Sequence, residues 1–284
     1  MPVPARPFAQ VDVFSAEPYR GNPVAVVLEA DGLDEETMQR IARWTNLSET
    51  TFVLAPTDPT ADYRLRIWTP GGELPFAGHP TLGSAHAWVE RGGLPRDPDR
   101  IVQECAAGLV EIARTPDGFA FAAPPVRRTG DLDPELLDRL TEALGLAPEQ
   151  VLGHQWVDNG PGWCVLRVAT AAEVRALRPD LGRIPEAMVG VVGAHPAGSP
   201  HAVELRAFCP GVGVAEDPVT GSLNASVAQW LHRTGVLAPP WTVTQGSALG
   251  RAGVVGISVD AAGTLRVAGA TTTLFSGTAR FPTA

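Results

Sequence analysis

The chain has 284 residues, of which 44% are apolar and 19% charged, a composition typical of a folded globular protein with one large domain or two smaller ones. The 22 residues counted as Lys or Arg are all arginines, and the absence of lysine excludes Schiff-base and PLP chemistry and a Walker A phosphate loop. The net charge of −9 argues against sequence-independent nucleic-acid binding, and the lack of a long apolar run or a secretory leader predicts a cytoplasmic protein without a membrane span.

Short β-rich runs punctuated by Gly and Pro dominate the chain and predict a fold built mainly of strands. The run at 63–68 has the alternation of a half-buried strand, which predicts that Arg64, Arg66 and Trp68 lie on its less buried face. Strands are predicted at residues 8–14, 24–28, 51–54, 63–68, 164–168, 189–192, 203–208, 241–244, 254–259 and 264–268.

Two segments carry the start and stop signals of helices. Asp34 is expected to cap a helix that begins with two glutamates and turns Met38 toward the core. A second helix is predicted at 134–144, with Asp133 as its cap and Gly145 just past its end.

The most informative feature of the sequence is an internal repeat. Residues 78–87 lie over residues 216–225 at an offset of 138, with Pro, Gly, Ser and Ala coinciding at four positions. Just upstream, Leu65-Arg66 matches Leu205-Arg206 at an offset of 140. Each copy reads as a strand, a Pro-Gly turn and a helix rich in small residues. These helices are predicted at residues 80–90 and 218–232.

The repeat predicts two similar lobes, each a β-sheet wrapped around one of these helices, with both helix starts at a shared cleft. Backbone N–H groups and positive dipole ends at helix starts favour an anion, most simply a carboxylate. One copy carries His79 where the other carries Asp217, and this change of titratable residue favours catalysis over a scaffold role. The alternative is an ordinary N-cap for Asp217 and a backbone-bonded histidine at 79.

A third candidate is Glu49, in the segment Asn46-Leu47-Ser48-Glu49-Thr50. Its neighbours in sequence are neutral, so partial burial would raise its pKa and suit it to act as a general acid or base. The local sequence taken alone favours a different interpretation, a turn glutamate exposed to solvent.

The sequence offers no signal for a cofactor or a metal. The three cysteines, Cys105, Cys164 and Cys209, are far apart and odd in number, which predicts buried, reduced thiols. The histidines lack metal-ligand spacing, and Gly211-Val212-Gly213 is too short for a dinucleotide fingerprint. We therefore expect neither a bound metal nor a nicotinamide cofactor.

Six linked motifs follow one another over nearly the whole chain. The motifs are Gly21-Asn22-Pro23-Val24-Ala25-Val26, Met38-Gln39-x-Ile41-Ala42, Asn46-x-Ser48-Glu49-Thr50-Thr51-Phe52, Glu73-Leu74-Pro75-Phe76-Ala77-Gly78-His79-Pro80-Thr81-x-Gly83, Glu216-Asp217-Pro218-Val219-Thr220-Gly221-Ser222 and Gln245-Gly246-x3-Gly250-Arg251. Together, in the same order, they resemble the phenazine-biosynthesis PhzF-like isomerase family, and the set is far more specific than any one motif.

The resemblance implies an α+β fold of the diaminopimelate-epimerase-like type, with two pseudo-symmetric lobes, each a β-barrel-like sheet around a central helix. On this basis lobe 1 is expected at residues 1–118, completed by 270–284, and lobe 2 at 119–269, with the active-site cleft between them. Homodimers are usual in the family, so a homodimer is expected.

The resemblance also implies cofactor-independent isomerase chemistry, which in the phenazine enzyme moves a double bond in trans-2,3-dihydro-3-hydroxyanthranilate by proton transfer. Glu49 matches the residue that removes and returns the proton, while His79, Asp217 and Ser222 match assisting polar residues. Substrate-binding positions are implied at Ser48, Gly78 and Gly221.

Two alternatives to an isomerase remain open at this point. One is an amino-acid epimerase that uses Glu49 opposite Asp217 or His79, and the other is a protein that binds a carboxylate without turnover. A racemase with two opposed thiols is disfavoured, because neither helix-start motif contains Cys.

Overall fold

Strands form most of the regular structure, as the sequence predicts. The computed structural model describes residues 5–281, and its contacts divide the chain into unit 1, Met1–Ala122 with Ala268–Ala284, and unit 2, Ala123–Val267. Within the described residues, sixteen strands and five α-helices build an α+β fold, which confirms the predicted fold class. No helix in this part of the chain is long and apolar enough to cross a lipid bilayer.

Unit 1 is a closed barrel of eight strands. Its elements are β1 (Ala5–Val13), β2 (Asn22–Val27), α1 (Glu35–Thr45), β3 (Glu49–Leu54), β4 (Tyr63–Trp68), β5 (Glu73–Leu74), α2 (Gly78–Glu90), β6 (Arg100–Cys105), β7 (Gly108–Thr115), β8 (Gly118–Ala122) and β16 (Leu265–Arg280), whose first residues belong to unit 2. The barrel follows the order β1-β2-β3-β4-β6-β7-β8-β16, and β16 pairs back onto β1 in antiparallel register. Each barrel strand therefore has a partner on both sides, so the barrel has no open sheet edge.

Helix α2 is the central helix of unit 1. It contacts β1, β2, β3, β4 and β8, and nine of its thirteen residues are buried. The surroundings of Gly83 show why α2 requires small residues. A Cβ atom at this position would lie 2.4 Å from Val24 Cγ1 and 3.1 Å from Val13 Cγ2. The small side chains of the sequence repeat thus let this helix approach the sheet closely.

Replacing Gly83 with Ala is expected to lower the free energy of unfolding by about 1 to 3 kcal/mol, because the added methyl group overpacks the contact between α2 and the sheet. Gly277 is the matched control, since a Cβ atom there meets nothing within 4 Å. Urea unfolding of Gly83→Ala and Gly277→Ala measures the difference. Equal unfolding midpoints for the two variants would contradict the close approach of α2.

Helix α1 begins as the sequence predicts, since Asp34 accepts a hydrogen bond from the Thr37 N–H at 2.7 Å. Met38 of this helix packs in one apolar cluster with Phe52 and Trp68. Trp68 lies on the same strand face as the half-buried Arg64 and Arg66, as predicted, but it is itself only 7% exposed. The reason is that α1 contacts β4 and covers the end of the strand that carries this side chain.

Unit 2 is built around a second buried helix. Its elements are α3 (Pro134–Leu144), β9 (Gly153–Trp156), β10 (Cys164–Thr170), α4 (Ala171–Ala176), β11 (Val189–Ala194), β12 (Val203–Cys209), β13 (Val214–Asp217), α5 (Gly221–Arg233), β14 (Trp241–Gln245) and β15 (Gly253–Val259). The strands pair in the order β15-β14-β12-β11-β10-β9, with β13 beside β12. Leu223 of α5 packs onto Gly190 of β11, where a Cβ atom would lie 2.7 Å from Leu223 Cδ2.

Two helices begin at residues other than those predicted from the sequence. Helix α2 begins at Gly78, two residues before the prediction, and α5 begins at Gly221, three residues after it. The later start of α5 follows from β13, which extends through Asp217. Asp133 precedes α3 as predicted, but its side chain makes no capping hydrogen bond.

The internal repeat has a counterpart in the geometry of each unit. In unit 1, Arg66 donates from Nε and Nη2 to the two carboxylate oxygens of Glu73, at 2.7 and 2.6 Å. In unit 2, Arg206 donates from the same two atoms to Glu216, at 2.9 and 2.7 Å. Each bidentate pair ties the strand before the turn to the short strand that leads to the buried helix.

Candidate functional site

Glu49 is the first residue of β3, directly after the bend that contains Ser48. The parallel pairing of β2 and β3 sets Glu49 opposite Val24, the residue after Pro23. Its side chain is 14% exposed. The interpretation of Glu49 as an exposed turn residue is therefore wrong, and its carboxyl group is largely shielded from water.

His79 lies in the first turn of α2 and is brought to Glu49 by the packing of this helix on the sheet. Its side chain is 4% exposed, and Nε2 lies 3.4 Å from Glu49 Oε2. A hydrogen bond of 2.8 Å between the hydroxyls of Thr51 and Ser84 joins β3 to α2 and so fixes the separation of the two side chains. The structure thus brings together two of the residues predicted from the sequence.

The first residue of β2 contacts His79, and a tight turn precedes it. Asn22 Nδ2 lies 3.4 Å from His79 Nδ1. Asp12 is buried, and its Oδ2 accepts hydrogen bonds from the backbone N–H of Gly21 at 3.1 Å and of the residue before it at 3.0 Å. Position 21 requires glycine, because a Cβ atom would lie 2.2 Å from the Val13 carbonyl oxygen. These contacts hold the turn in place against the imidazole.

Burial determines the charge of His79. It lowers the pKa of the ring from its ordinary value of 6.5 to about 3, while a hydrogen bond to the carbonyl of Pro23 acts weakly in the opposite direction. The imidazole is therefore neutral near pH 7. A neutral ring beside Glu49 can exchange hydrogen bonds with the carboxyl group without adding a fixed positive charge.

The pKa of His79 predicts a dependence of stability on pH. The folded value of about 3 lies below the ordinary 6.5, so the unfolded chain binds the extra proton first, and His79 lowers stability as the pH falls from 6.5 toward 3. Relative to a His79→Asn variant, the wild-type protein is expected to lose about 1.6 kcal/mol of unfolding free energy between pH 6.5 and 5. Urea unfolding at several pH values measures this, and a difference that is constant with pH would contradict the neutral ring.

In unit 2, Asp217 is the last residue of β13 and lies three residues before the N-cap of α5, Thr220. The Thr220 hydroxyl donates to Asp217 Oδ2 at 2.6 Å. Because the hydroxyl bonds to this carboxylate, it does not cap the helix, and the first turn of α5 contains no acidic residue. The alternative of Asp217 as an ordinary N-cap is wrong.

Ser222, the second residue of α5, is held by two side chains from one loop. Trp163 Nε1 donates to Ser222 Oγ at 3.0 Å, and Asn159 Nδ2 donates to the Ser222 carbonyl at 2.8 Å. The indole N–H can only donate, so the Ser222 hydroxyl accepts this bond and keeps its own hydrogen for another acceptor. Trp163 is thus a buried residue that also fixes Ser222.

The two glycines with implied substrate-binding roles, Gly78 and Gly221, are the first residues of α2 and α5, and both are buried. Helix α2, like α5, has no side-chain cap and no acidic residue in its first turn. Each helix start therefore presents backbone N–H groups and the positive end of its dipole without a carboxylate of its own.

The three cysteines are buried and none of them forms a disulfide within residues 5–281, as the sequence predicts. Burial raises the pKa of Cys164 to about 12 and raises that of Cys105 above its ordinary value, so neither thiol is ionised near pH 7. Among residues 5–281, no group of three or more His, Cys, Asp and Glu side chains is arranged to hold a metal ion.

Sequence reasoning missed the residues that hold the predicted ones. Asn159 and Trp163 reach Ser222 from about 60 positions away, and no local signal marks them. Asp12 lies in a strand run and carries no motif of its own. Gln245 belongs to the last of the six motifs, but the sequence does not reveal the four hydrogen bonds that its side chain makes around Thr220 in the folded chain.

Comparison with known proteins gives consistent matches over most of the chain. A family model described as phenazine biosynthesis-like protein matches residues 11–279. The chain is 38% identical over 267 residues to Antisense-enhancing sequence 1 of Schizosaccharomyces pombe, an alignment that covers 89% of this chain and 90% of that protein. It is 37% identical over 255 residues to trans-2,3-dihydro-3-hydroxyanthranilate isomerase of Pseudomonas aeruginosa, with 86% and 87% covered.

A solved structure agrees with these matches. The chain superposes on a protein of Pseudomonas aeruginosa described as a predicted epimerase, with a TM-score of 0.78 and 29% sequence identity. The superposition covers 98% of this chain and 100% of that one.

Proposed function

The chain belongs to the phenazine biosynthesis-like family, whose members are isomerases and epimerase-like proteins, and from this premise we propose that it moves a proton within a small carboxylate substrate without a cofactor. The observation that carries the proposal is the Glu49–His79 pair, in which a shielded carboxyl group lies 3.4 Å from a neutral imidazole. A carboxyl group in this setting can take a proton from a carbon and return it elsewhere on the same face of the substrate.

Proton removal next to a carboxylate builds up negative charge, which the protein has to stabilise. The uncapped start of α2, with Gly78 as its first residue, offers backbone N–H groups and a positive dipole end for this purpose. We propose that Glu49 is the acid and base, that His79 steadies its protonation, and that Ser48 and Gly78 contribute to substrate binding.

Asp217, Ser222 and Gly221 are proposed to assist the same reaction. The support comes from the start of α5, where Thr220 orients Asp217 and Trp163 leaves the Ser222 hydroxyl free to donate. These groups would contact the amine, hydroxyl or carboxylate of the substrate. The proposal for Glu49 stands without them.

The cysteines argue against the two-thiol racemase. A thiol base has to ionise, and burial raises the pKa of both Cys105 and Cys164. Cys209 is buried at the end of β12. A carboxylate base is the better candidate in this chain.

Proton NMR in D2O tests the proposal. The wild-type protein is incubated with trans-2,3-dihydro-3-hydroxyanthranilate and a panel of cyclic amino acids, and deuterium at carbon is followed together with chiral chromatography of the products. Deuterium incorporation with a moved double bond supports the isomerase, and incorporation with inverted configuration supports an epimerase. A protein that is stabilised thermally by a compound but exchanges no proton would overturn the proposal in favour of a binding protein.

A further inference from the structure

Gln245 is a buried amide that fixes the start of α5. Only 2% of it is exposed. Its Oε1 accepts from the Thr220 N–H at 3.1 Å and from Asn224 Nδ2 at 2.8 Å. Its Nε2 donates to the Asp217 carbonyl at 3.1 Å and to Thr220 Oγ1 at 3.0 Å. The two acceptor and two donor sites of the amide are therefore all used.

The donor or acceptor character of each group fixes the direction of every hydrogen bond in this network. The backbone N–H of Thr220 can only donate and the carbonyl of Asp217 can only accept, so the amide of Gln245 cannot be reversed. Because Nε2 donates to Thr220 Oγ1, the Thr220 hydroxyl must send its own hydrogen elsewhere. The carboxylate of Asp217, 2.6 Å away, receives it at Oδ2.

Unit 1 contains a similar arrangement at the start of its own central helix. Gln103 of β6 is fully buried, accepts from the Tyr63 hydroxyl and donates to the Thr81 hydroxyl, each at 3.1 Å. Thr81 lies in the first turn of α2. A buried glutamine bonded to a threonine thus lies at the start of the central helix in each unit, and in unit 2 the threonine donates in turn to an acidic residue.

We propose that Gln245 is a positioning residue that acts through the Thr220 hydroxyl to hold the Asp217 carboxylate in its reactive orientation. This inference rests on the proposed function in that Asp217 assists the proton transfer. The amide and the hydroxyl take no part in the chemistry themselves. Their contribution is to restrict the rotation of the Asp217 side chain before the substrate arrives, so that its carboxylate is held in one orientation.

A pair of substitutions at Thr220 tests this role. Thr220→Val keeps the branched shape and removes the hydroxyl, and it is expected to lower the exchange rate at saturating substrate at least about tenfold with KM changed less than about threefold. Thr220→Ser restores the hydroxyl and is expected to stay within about threefold of the wild-type rate. Thr141→Val is the matched control, because Thr141 is a buried threonine of unit 2 whose hydroxyl donates to the Leu137 carbonyl of its own helix. A Thr220→Val rate equal to that of the control would overturn the inference.

Crystal structures of the variants test the orientation of the Asp217 side chain and need no substrate. In Thr220→Val, and in the more disruptive Gln245→Met if it folds, the Asp217 side chain is expected to leave its wild-type rotamer. An Asp217 carboxylate that stays in place overturns the inference whatever the rates are. If the wild-type protein exchanges no compound, the proposed function fails, and the positioning role is then decided by these structures alone.

Discussion

Replacing Glu49 with Gln is expected to lower the rate of substrate proton exchange by about 10²- to 10⁴-fold, the usual contribution of a general acid or base. The substitution keeps the size and the hydrogen-bonding shape of the side chain but removes its ability to take a proton. Because burial keeps the His79 imidazole neutral, the substitution does not leave a charged histidine without its partner. The fold should therefore survive while the exchange is lost.

Glu111→Gln is the matched control for this experiment. Glu111 is an exposed glutamate of β7 in the same unit, paired with Arg100. Both variants are compared with the wild-type protein by NMR exchange in D2O and by circular dichroism on heating. An exchange rate of Glu49→Gln that matches that of Glu111→Gln would assign the proton transfer to another group.

The substitution Arg206→Met is expected to be the most destabilising change that leaves the proposed site residues intact, with a loss of about 3 to 5 kcal/mol in unfolding free energy. Arg206 and Glu216 are 5% and 9% exposed, and the guanidinium also donates to the Leu177 carbonyl at 2.9 Å. Removing it leaves the buried Glu216 carboxylate without its two guanidinium hydrogen bonds. This penalty exceeds what the ion pair itself contributes.

Two further variants distinguish the free-energy cost of leaving a buried charge unpaired from the cost of losing the ion pair itself. Arg139→Met removes a surface pair with Glu186, whose side chains are 48% and 57% exposed, and is expected to cost less than about 1 kcal/mol. The double variant Arg206→Met with Glu216→Leu removes both charges and should recover most of the loss. Denaturant unfolding measures all of them, and an Arg206→Met variant as stable as Arg139→Met would show that Glu216 finds another partner.

The internal repeat made the fold predictable, because the residue types that it repeats are found in only a few kinds of structural position. Small residues such as Gly83 are needed wherever a helix approaches a sheet closely, and the matching Arg66 and Arg206 make the same bidentate contact in each unit. Strand pairing could not be read in the same way. The sequence predicted a final strand at residues 264–268, whereas β16 continues to Arg280, because its exposed half lacks a strong alternating pattern.

The site was predictable as a set of residues but not as a set of contacts. Glu49 and His79 were marked by their motifs, yet their distance depends on the pairing of β2 with β3 and on the hydrogen bond that joins Thr51 to Ser84. Burial, which sets the charge of His79, is a property of the folded chain alone. For the same reason the supports of Ser222 and Asp217 could be found only in the structure.

Strand β16 determines the order in which the two units can be completed while the chain is being synthesised. It lies almost at the end of the chain, and its residues Thr271 to Arg280 pair with β1 at the beginning. A ribosome therefore finishes all of unit 2, which ends at Val267, while the barrel of unit 1 still lacks its closing strand. During that interval β1 and β8 each lack the partner strand that β16 supplies, so two edges of the sheet in unit 1 stay open until β16 has been synthesised.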